Sequence, residues 1–245
     1  MSDANTSAIL LDIEGTTTSI EFVYEILFPF AHQHVKEFIE QHRESADVRA
    51  DIAALRTEYL ADMEDGGKPP SWEDDANESW LESVTAYVHW QMKQDRKSTA
   101  LKSLQGKIWE AGYLSGRLLS QVYPDVPPAF ERWRKLEKKI YIYSSGSILA
   151  QKLLFAHTTY GDLSGYINGY FDTTTGAKRA ALSYQSIAEK IALPAREVLF
   201  LSDVTAELDA ARNAGMQTTL CVRPGNAEVE STTHPAVRTF DVVFP

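Results

Sequence analysis

Cysteine is almost absent. The one residue, Cys221, lies in the apolar stretch "TTLCVRP", so no intrachain disulfide can form and a buried structural thiol is expected. Positive charge is also scarce: 24 Lys and Arg stand against 34 Asp and Glu, a formal charge of −10. That argues against a nucleic-acid binder, which needs a basic face. It also means that an anionic substrate must be held by local positive groups or a metal, because the field of the whole chain repels it. No run reaches the roughly 18 apolar residues of a membrane span. The start, "MSDANTSA", has neither a basic n-region nor an apolar h-region. The resulting expectation is a cytoplasmic monomer that engages neither nucleic acid nor membrane. Internal repeats and low-complexity segments are missing too.

What the chain does have is a core. Of its 245 residues 44% are hydrophobic and 11% aromatic, enough for one large domain or a core with a smaller second domain. Ser7 to Leu11 reads as a short buried strand. From about Ile20 to Ser120 the texture is helical. "FVYEILFPFAHQHVKEFI" has helical spacing with Pro29 set to kink or split it, and "DVRADIAALRTEYLADM" is a second amphipathic helix. The segment 64–75, "EDGGKPPSWEDD", is a loop, and helices follow near Glu78 to Lys93 and Leu101 to Ser120. Trp72, Trp80, Trp90 and Trp109 fall here, as the packing of a small bundle or, for one of them, as the wall of a ligand pocket.

After "YPDVPP" strands and helices alternate. Helices are expected over Pro127 to Lys138 and in "SILAQKLLFAH", "RAALSYQSIAEKIAL" and "TAELDAARNAG"; strands in "KIYIYSS", "GYFD", "EVLFLSD" and "QTTLCVRP". This order predicts a parallel sheet covered on both faces. The expected architecture is an α/β core made of 1–19 and 121–245, with a helical domain, 20–120, inserted after the first strand.

Ligands of open α/β sheets bind at the carboxyl ends of strands. The first strand ends in Asp12-Ile13-Glu14-Gly15-Thr16, another in Ser144-Ser145-Gly146-Ser147, and another in Ser202-Asp203. Lys178 stands where a helix is about to begin. These types suit phosphoryl transfer through an aspartate. A carboxylate can attack phosphorus and split hydrolysis into two steps. Asp12 and Asp203 would hold a hard cation such as Mg²⁺. Ser145 and the amides near Gly146 suit a phosphate oxygen, Lys178 can neutralise the phosphate, and Glu14 can move protons. Each feature also has a plain alternative: a turn for Asp-x-Glu-Gly, a helix N-cap for Ser144–Ser147 or Asp203, a solvated surface for Lys178.

Together "DIEGTT", "IYIYSSGS", Lys178 and "FLSDVTAELDAARNAG" resemble the four motifs of the haloacid dehalogenase-like (HAD) phosphatases. Glu14, where most of that superfamily has Asp, narrows the match. With "SSGS", "QKLLFAHTTYGDL", "FDTTTGAK", "LFLSDVTAEL" and "VRPGN", the chain resembles the enolase-phosphatase family of methionine salvage. The resemblance implies a HAD-like Rossmannoid core with an all-helical cap. It implies Asp12 as nucleophile and metal ligand, Glu14 as acid/base and main-chain metal ligand, and Asp203 as second metal carboxylate. Ser144, Ser145 and Lys178 are then the substrate-binding residues, with one Mg²⁺ per chain. Glu207, one helical turn after Asp203, is either an aid to a metal-bound water or a surface acid. The implied reaction converts 2,3-diketo-5-methylthiopentyl-1-phosphate, through its enol, to 1,2-dihydroxy-3-keto-5-methylthiopentene and phosphate. A generic HAD phosphatase acting on another small phosphorylated metabolite is the alternative. In the helical part, "LQGKIWEAG" is the expected substrate-facing segment, with Trp109 either touching the methylthio group or packing the cap. His157 is expected to be structural.

Overall fold

All four residues of the first strand, Ala8–Leu11 (β1), are buried. A strand covered on both faces needs such a continuous apolar run rather than alternation. In the computed structural model the described residues are 5–74, 78–96, 98–227 and 233–245. Residues 1–4 of the start, and Asp75 at the end of the expected loop, lie outside them. The chain divides into two compact units, Met1–Glu25 with Leu119–Pro245, and Ile26–Leu118.

The Ile26–Leu118 unit is helical. A π-helical turn, Phe22–Leu27, leads into α1 (Phe28–His42). Pro29 follows on that π-turn, within a helical run from Ile20 to His42 in which Leu27 keeps right-handed helical angles. The expected interruption is present: the helical run is broken into a π-turn just before the proline, the distortion that a proline inside a helix brings. Three more follow: α2 (Ala46–Glu64), α3 (Glu78–Lys93) and α4 (Thr99–Leu114). Ser98 caps α4 by accepting the Leu101 N–H. This helix ends six residues short of the expected Ser120, at the helix-stopping pair Ser115-Gly116. Aromatic rings fill the interior. Tyr87 meets Tyr59 and Trp72 edge-on at 5.3 and 5.7 Å, and Trp90 stacks on Tyr87 at 5.8 Å. Trp109 is buried, its indole N–H donates to the Leu27 carbonyl at 2.8 Å, and its ring lies 5.9 Å from Phe28. Of the two readings of Trp109, the packing one describes its place.

The other unit holds the sheet. Its further strands are Lys139–Tyr143 (β2), Ile167–Phe171 (β3), Val198–Ser202 (β4), Gln217–Cys221 (β5) and Ala236–Val237 (β6). All pairings are parallel, in the order β3-β2-β1-β4-β5-β6. The two-residue β6 was not expected, being too short to carry a pattern. Four helices cover the sheet: α5 (Val126–Lys135), α6 (Ile148–Ala156), α7 (Ala181–Lys190) and α8 (Thr205–Asn213). Alternate residues serve opposite faces. Leu10, Tyr141, Tyr143 and Phe200 pack with Tyr184, Ile187 and Leu208 of α7 and α8. On α5, Phe130 and Trp133 pack with Phe155 and Phe240, and the Trp133 indole donates to the Val243 carbonyl at 2.8 Å. From β1 the chain steps outward to β2 and β3 on one side, then to β4, β5 and β6 on the other. The reversal lies between β1 and β4, and a crevice at the carboxyl ends of such a pair is the usual ligand site. Among the described residues no helix is long and apolar enough to cross a membrane.

Because Trp109 fills the helical unit, Trp109→Ala should destabilise the protein by about 3–5 kcal/mol, the usual cost of emptying a buried Trp site. Trp109→Phe, which keeps a ring but loses the bond to Leu27, should cost less. Chemical denaturation checks both. An undiminished midpoint, with turnover falling only for substrates bearing the methylthio group, would contradict this assignment.

Candidate active site

The end of β1 delivers Asp12 to the reversal point. Its N–H continues the ladder to the Leu201 carbonyl at 3.0 Å, so the backbone there is still sheet. The carboxylate is held from three directions. Its Oδ1 accepts from Ile13 N at 2.7 Å and from Lys178 Nζ at 2.7 Å, and its Oδ2 lies 3.1 Å from the Ser202 hydroxyl. Lys178 Nζ also reaches Glu207 Oε2 at 2.8 Å. Ser202 Oγ, 3.3 Å from that same Glu207 oxygen, has one proton to give to either acid and itself accepts from Val204 N at 3.1 Å. Asp12 is 4% and Glu207 8% exposed. Glu207 is therefore no surface acid: it is the second carboxylate on the lysine.

Electrostatics follow from counting charges. Asp203, after β4, is pushed up to about 7 by burial first and then by the neighbouring Asp12 charge, with Glu14 adding to it. Glu207 is likewise raised, by burial and by Asp12, even though Lys178 draws it down. Burial works against the charge of Lys178, but Asp12 and Glu207 outweigh it and hold its proton more firmly than usual. One lysine thus serves three acids.

The loop after Asp12 is shaped by Gly15, at φ +65°, where a Cβ would come within 2.3 Å of the Asp203 carboxylate. Only glycine fits both the backbone and the neighbour. Three successive carbonyls of this loop each accept a bond from elsewhere: Gly15 from Asn226 Nδ2 at 2.9 Å, Thr16 from Arg223 Nε at 3.0 Å, Thr17 from Tyr123 N at 2.9 Å. Arg223 is buried between the Tyr123 and Phe240 rings and pairs with Asp125 at 2.8 Å. Residue patterns did not single out Arg223, Asn226 or Tyr123. For Arg223 and Asn226 the only signal was the "VRPGN" stretch at the end of β5, and for Tyr123 the change of texture at "YPDVPP".

The lysine loop is pinned in the same way. Tyr143 Oη donates to the Gly176 carbonyl at 2.8 Å, Ser183 Oγ to Ala177 at 2.8 Å, and Tyr184 Oη to Lys178 at 2.7 Å. Ser144 and Ser145 follow Tyr143 at the end of β2, the strand beside β1. Ser144 is buried, its N–H bonded to Phe171 O at 3.1 Å and its hydroxyl accepting from Gly146 N at 3.2 Å; Ser145 is exposed. Ser147, not Ser144 or Ser145, caps α6 by accepting the Ala150 N–H. Val204, not Asp203, stands at the N-cap of α8. So the structure joins Asp12, Lys178, Ser202 and Glu207 by direct contact, with Asp203 and Glu14 close enough for their charges to act. It places Ser144 and Ser145 on the same sheet edge by strand register. His157 ends α6, its carbonyl accepting from Ser120 N at 2.8 Å.

The donor set suits a hard cation. Among the described residues no three His, Cys, Asp or Glu side chains are gathered as a metal site. Mg²⁺ asks for less: one or two carboxylates, completed by water and substrate oxygens. Asp12 and Asp203 are carboxylates of that kind, near enough for the Asp12 charge to add to the effect of burial on Asp203.

Known proteins agree with this geometry. The pattern of the haloacid dehalogenase-like hydrolases matches residues 6–215. The enolase-phosphatase E1 of Synechococcus elongatus is 48% identical over 235 residues, covering 96% of each chain. That of Sorangium cellulosum is 45% identical over 97% of each, and that of Salmo salar 44% identical over 92% of this chain and 88% of its own. The crystal structure of the UTR4 protein from Saccharomyces cerevisiae superposes with a TM-score of 0.80 at 36% identity, covering 97% of this chain and all of that one. A dehalogenase at 18% identity, TM-score 0.53, shares the fold alone. With a buried aspartate, a bridging lysine and a second acid at the switch point of a 321456 sheet, the chain belongs to the haloacid dehalogenase-like hydrolases and, within them, to the enolase-phosphatase E1 family.

Proposed function

We propose that this chain is an enolase-phosphatase acting on 2,3-diketo-5-methylthiopentyl-1-phosphate in methionine salvage, with Asp12 as the nucleophile. The observation that carries the reading is the Asp12–Lys178–Glu207 bridge at the β1/β4 edge. The shared name of relatives that match 96–97% of this chain supports the substrate. Glu14 and the "SSGS" stretch weigh against a generic phosphatase.

The chemistry follows from the side chains. Asp12, oriented by Ile13 N and Lys178, attacks phosphorus. An Asp–O–P bond forms and the substrate P–O ester bond breaks, the leaving oxygen taking a proton from Glu14. Water then attacks the aspartyl phosphate, Glu14 takes its proton, and phosphate leaves with Asp12 restored. Lys178 and the Ser144–Ser145 edge bind phosphate oxygens, and Glu207 keeps Lys178 in place. Mg²⁺ held by Asp12, Asp203 and the Glu14 main-chain carbonyl would offset the negative charge of substrate and carboxylates. The enol forms on the same bound substrate before phosphate is lost. The Ile26–Leu118 unit is the proposed cap, a source of specificity for the apolar tail.

Asp12→Asn should cut phosphate release from the diketo substrate below about one-thousandth of wild type, about 4 kcal/mol of barrier, with circular dichroism unchanged. Turnover within about tenfold of wild type would exclude Asp12 as nucleophile. An ordinary phosphate ester assayed in parallel should be a far poorer substrate; equal turnover would favour a generic phosphatase.

Chelation should abolish turnover and added Mg²⁺ should restore it. Calorimetry should show one Mg²⁺ per chain, with binding weakened in Asp203→Asn. Full activity after exhaustive dialysis against a chelator would remove the metal from this reading.

A further inference from the structure

The segment between β3 and α7 is irregular, yet it must deliver a flexible four-carbon side chain to two buried oxygens at once. Its backbone is fixed by an unusual device. Gly176, Ala177 and Lys178 each present a carbonyl to one side-chain hydroxyl, from Tyr143, Ser183 and Tyr184 in turn, at 2.7 to 2.8 Å. The approach is close: at Gly176, φ +144°, a Cβ would lie 2.2 Å from Ser183 Oγ. The two tyrosines come from rigid elements, β2 and α7. Their rings meet edge-on at 5.5 Å, and Tyr184 packs on Phe200 of β4 at 5.1 Å. Lys178 Nζ stands 5.9 Å from the centre of the Tyr143 ring.

We propose that Tyr143, Ser183 and Tyr184 are positioning residues for the reaction: through three successive carbonyls they set the backbone from which Lys178 reaches Asp12 and Glu207. The inference rests on the role given to Lys178 under Proposed function. A buried tyrosine hydroxyl generally finds some partner, so one such bond would carry no meaning. Two features do. The three acceptors are consecutive and end on Lys178 itself. And the fold does not insist on satisfying every tyrosine: Tyr170 of β3 buries a hydroxyl that has no hydrogen-bond partner among the described residues. That residue is the internal control, since Tyr170→Phe removes a buried hydroxyl that holds nothing.

The test compares Tyr143→Phe, Ser183→Ala, Tyr184→Phe and Tyr170→Phe, with Lys178→Met beside them, on the diketo phosphate substrate well below the unfolding temperature. Each Tyr→Phe change keeps the ring and its packing. Tyr184→Phe and Tyr143→Phe should lower kcat by about tenfold or more while KM stays within about threefold, the mark of a group that acts in the transition state and not in uniform binding. Ser183→Ala should fall the same way, and Tyr170→Phe should match wild type. If Tyr143→Phe and Tyr184→Phe both keep wild-type kcat, or lose activity only in step with the unfolded fraction, the inference is wrong. Lys178→Met tells the failures apart. Should it abolish turnover while the tyrosine variants do not, the positioning idea falls and the catalytic reading stands. Should it turn over normally, both fall.

Discussion

One lysine between two buried carboxylates organises this molecule. Lys178 Nζ lies 2.7 Å from Asp12 and 2.8 Å from Glu207. Removing a charge from water is costly, and a buried ion pair is retained only if its geometry is held. The holding is visible on every side. The Asp12 loop offers three consecutive carbonyls to Asn226, Arg223 and Tyr123, and the Lys178 loop offers three to Tyr143, Ser183 and Tyr184. Both loops are irregular chain at the sheet edge. Both are made definite not by secondary structure but by bonds from outside the loop: side chains rooted in strands, helices and the exit of β5, and the main-chain N–H of Tyr123.

The arrangement leaves negative charge in excess. Asp203 and Glu207 sit above the usual carboxylate range through burial and the Asp12 charge. In a chain of net charge −10 that must bind a phosphate, such an excess is workable only with added positive charge. Lys178 supplies part of that balance, and the proposed Mg²⁺ would supply the rest.

Much of this was legible from residue order. Strands β1, β2 and β4 announced themselves as apolar runs ending in polar residues, and Asp12 and Asp203 stood at those ends. Helix α3, expected near Glu78 to Lys93, runs from Glu78 to Lys93. Glu207 stayed ambiguous, because one helical turn of spacing does not say which face of α8 turns inward; the structure buries it. Tyr143 and Tyr184 read only as core, since a sequence shows their rings' periodicity but not where the hydroxyls end. Arg223 and Asn226 act across 207 and 211 residues of chain on Thr16 and Gly15, a separation no local pattern reveals. Trp109 was a balance of two readings that its bond to Leu27 resolves toward packing.

The central claim is that Asp12 becomes covalently phosphorylated during turnover. An acyl phosphate is reduced by borohydride to the alcohol, which would convert Asp12 to homoserine. Quenching the working enzyme with borohydride and mapping peptides by mass spectrometry should find homoserine at position 12 only when substrate is present. Undiminished phosphate release with Asp12 unmodified, or a reduced residue at Glu14, Asp203 or Glu207 instead, would contradict the account.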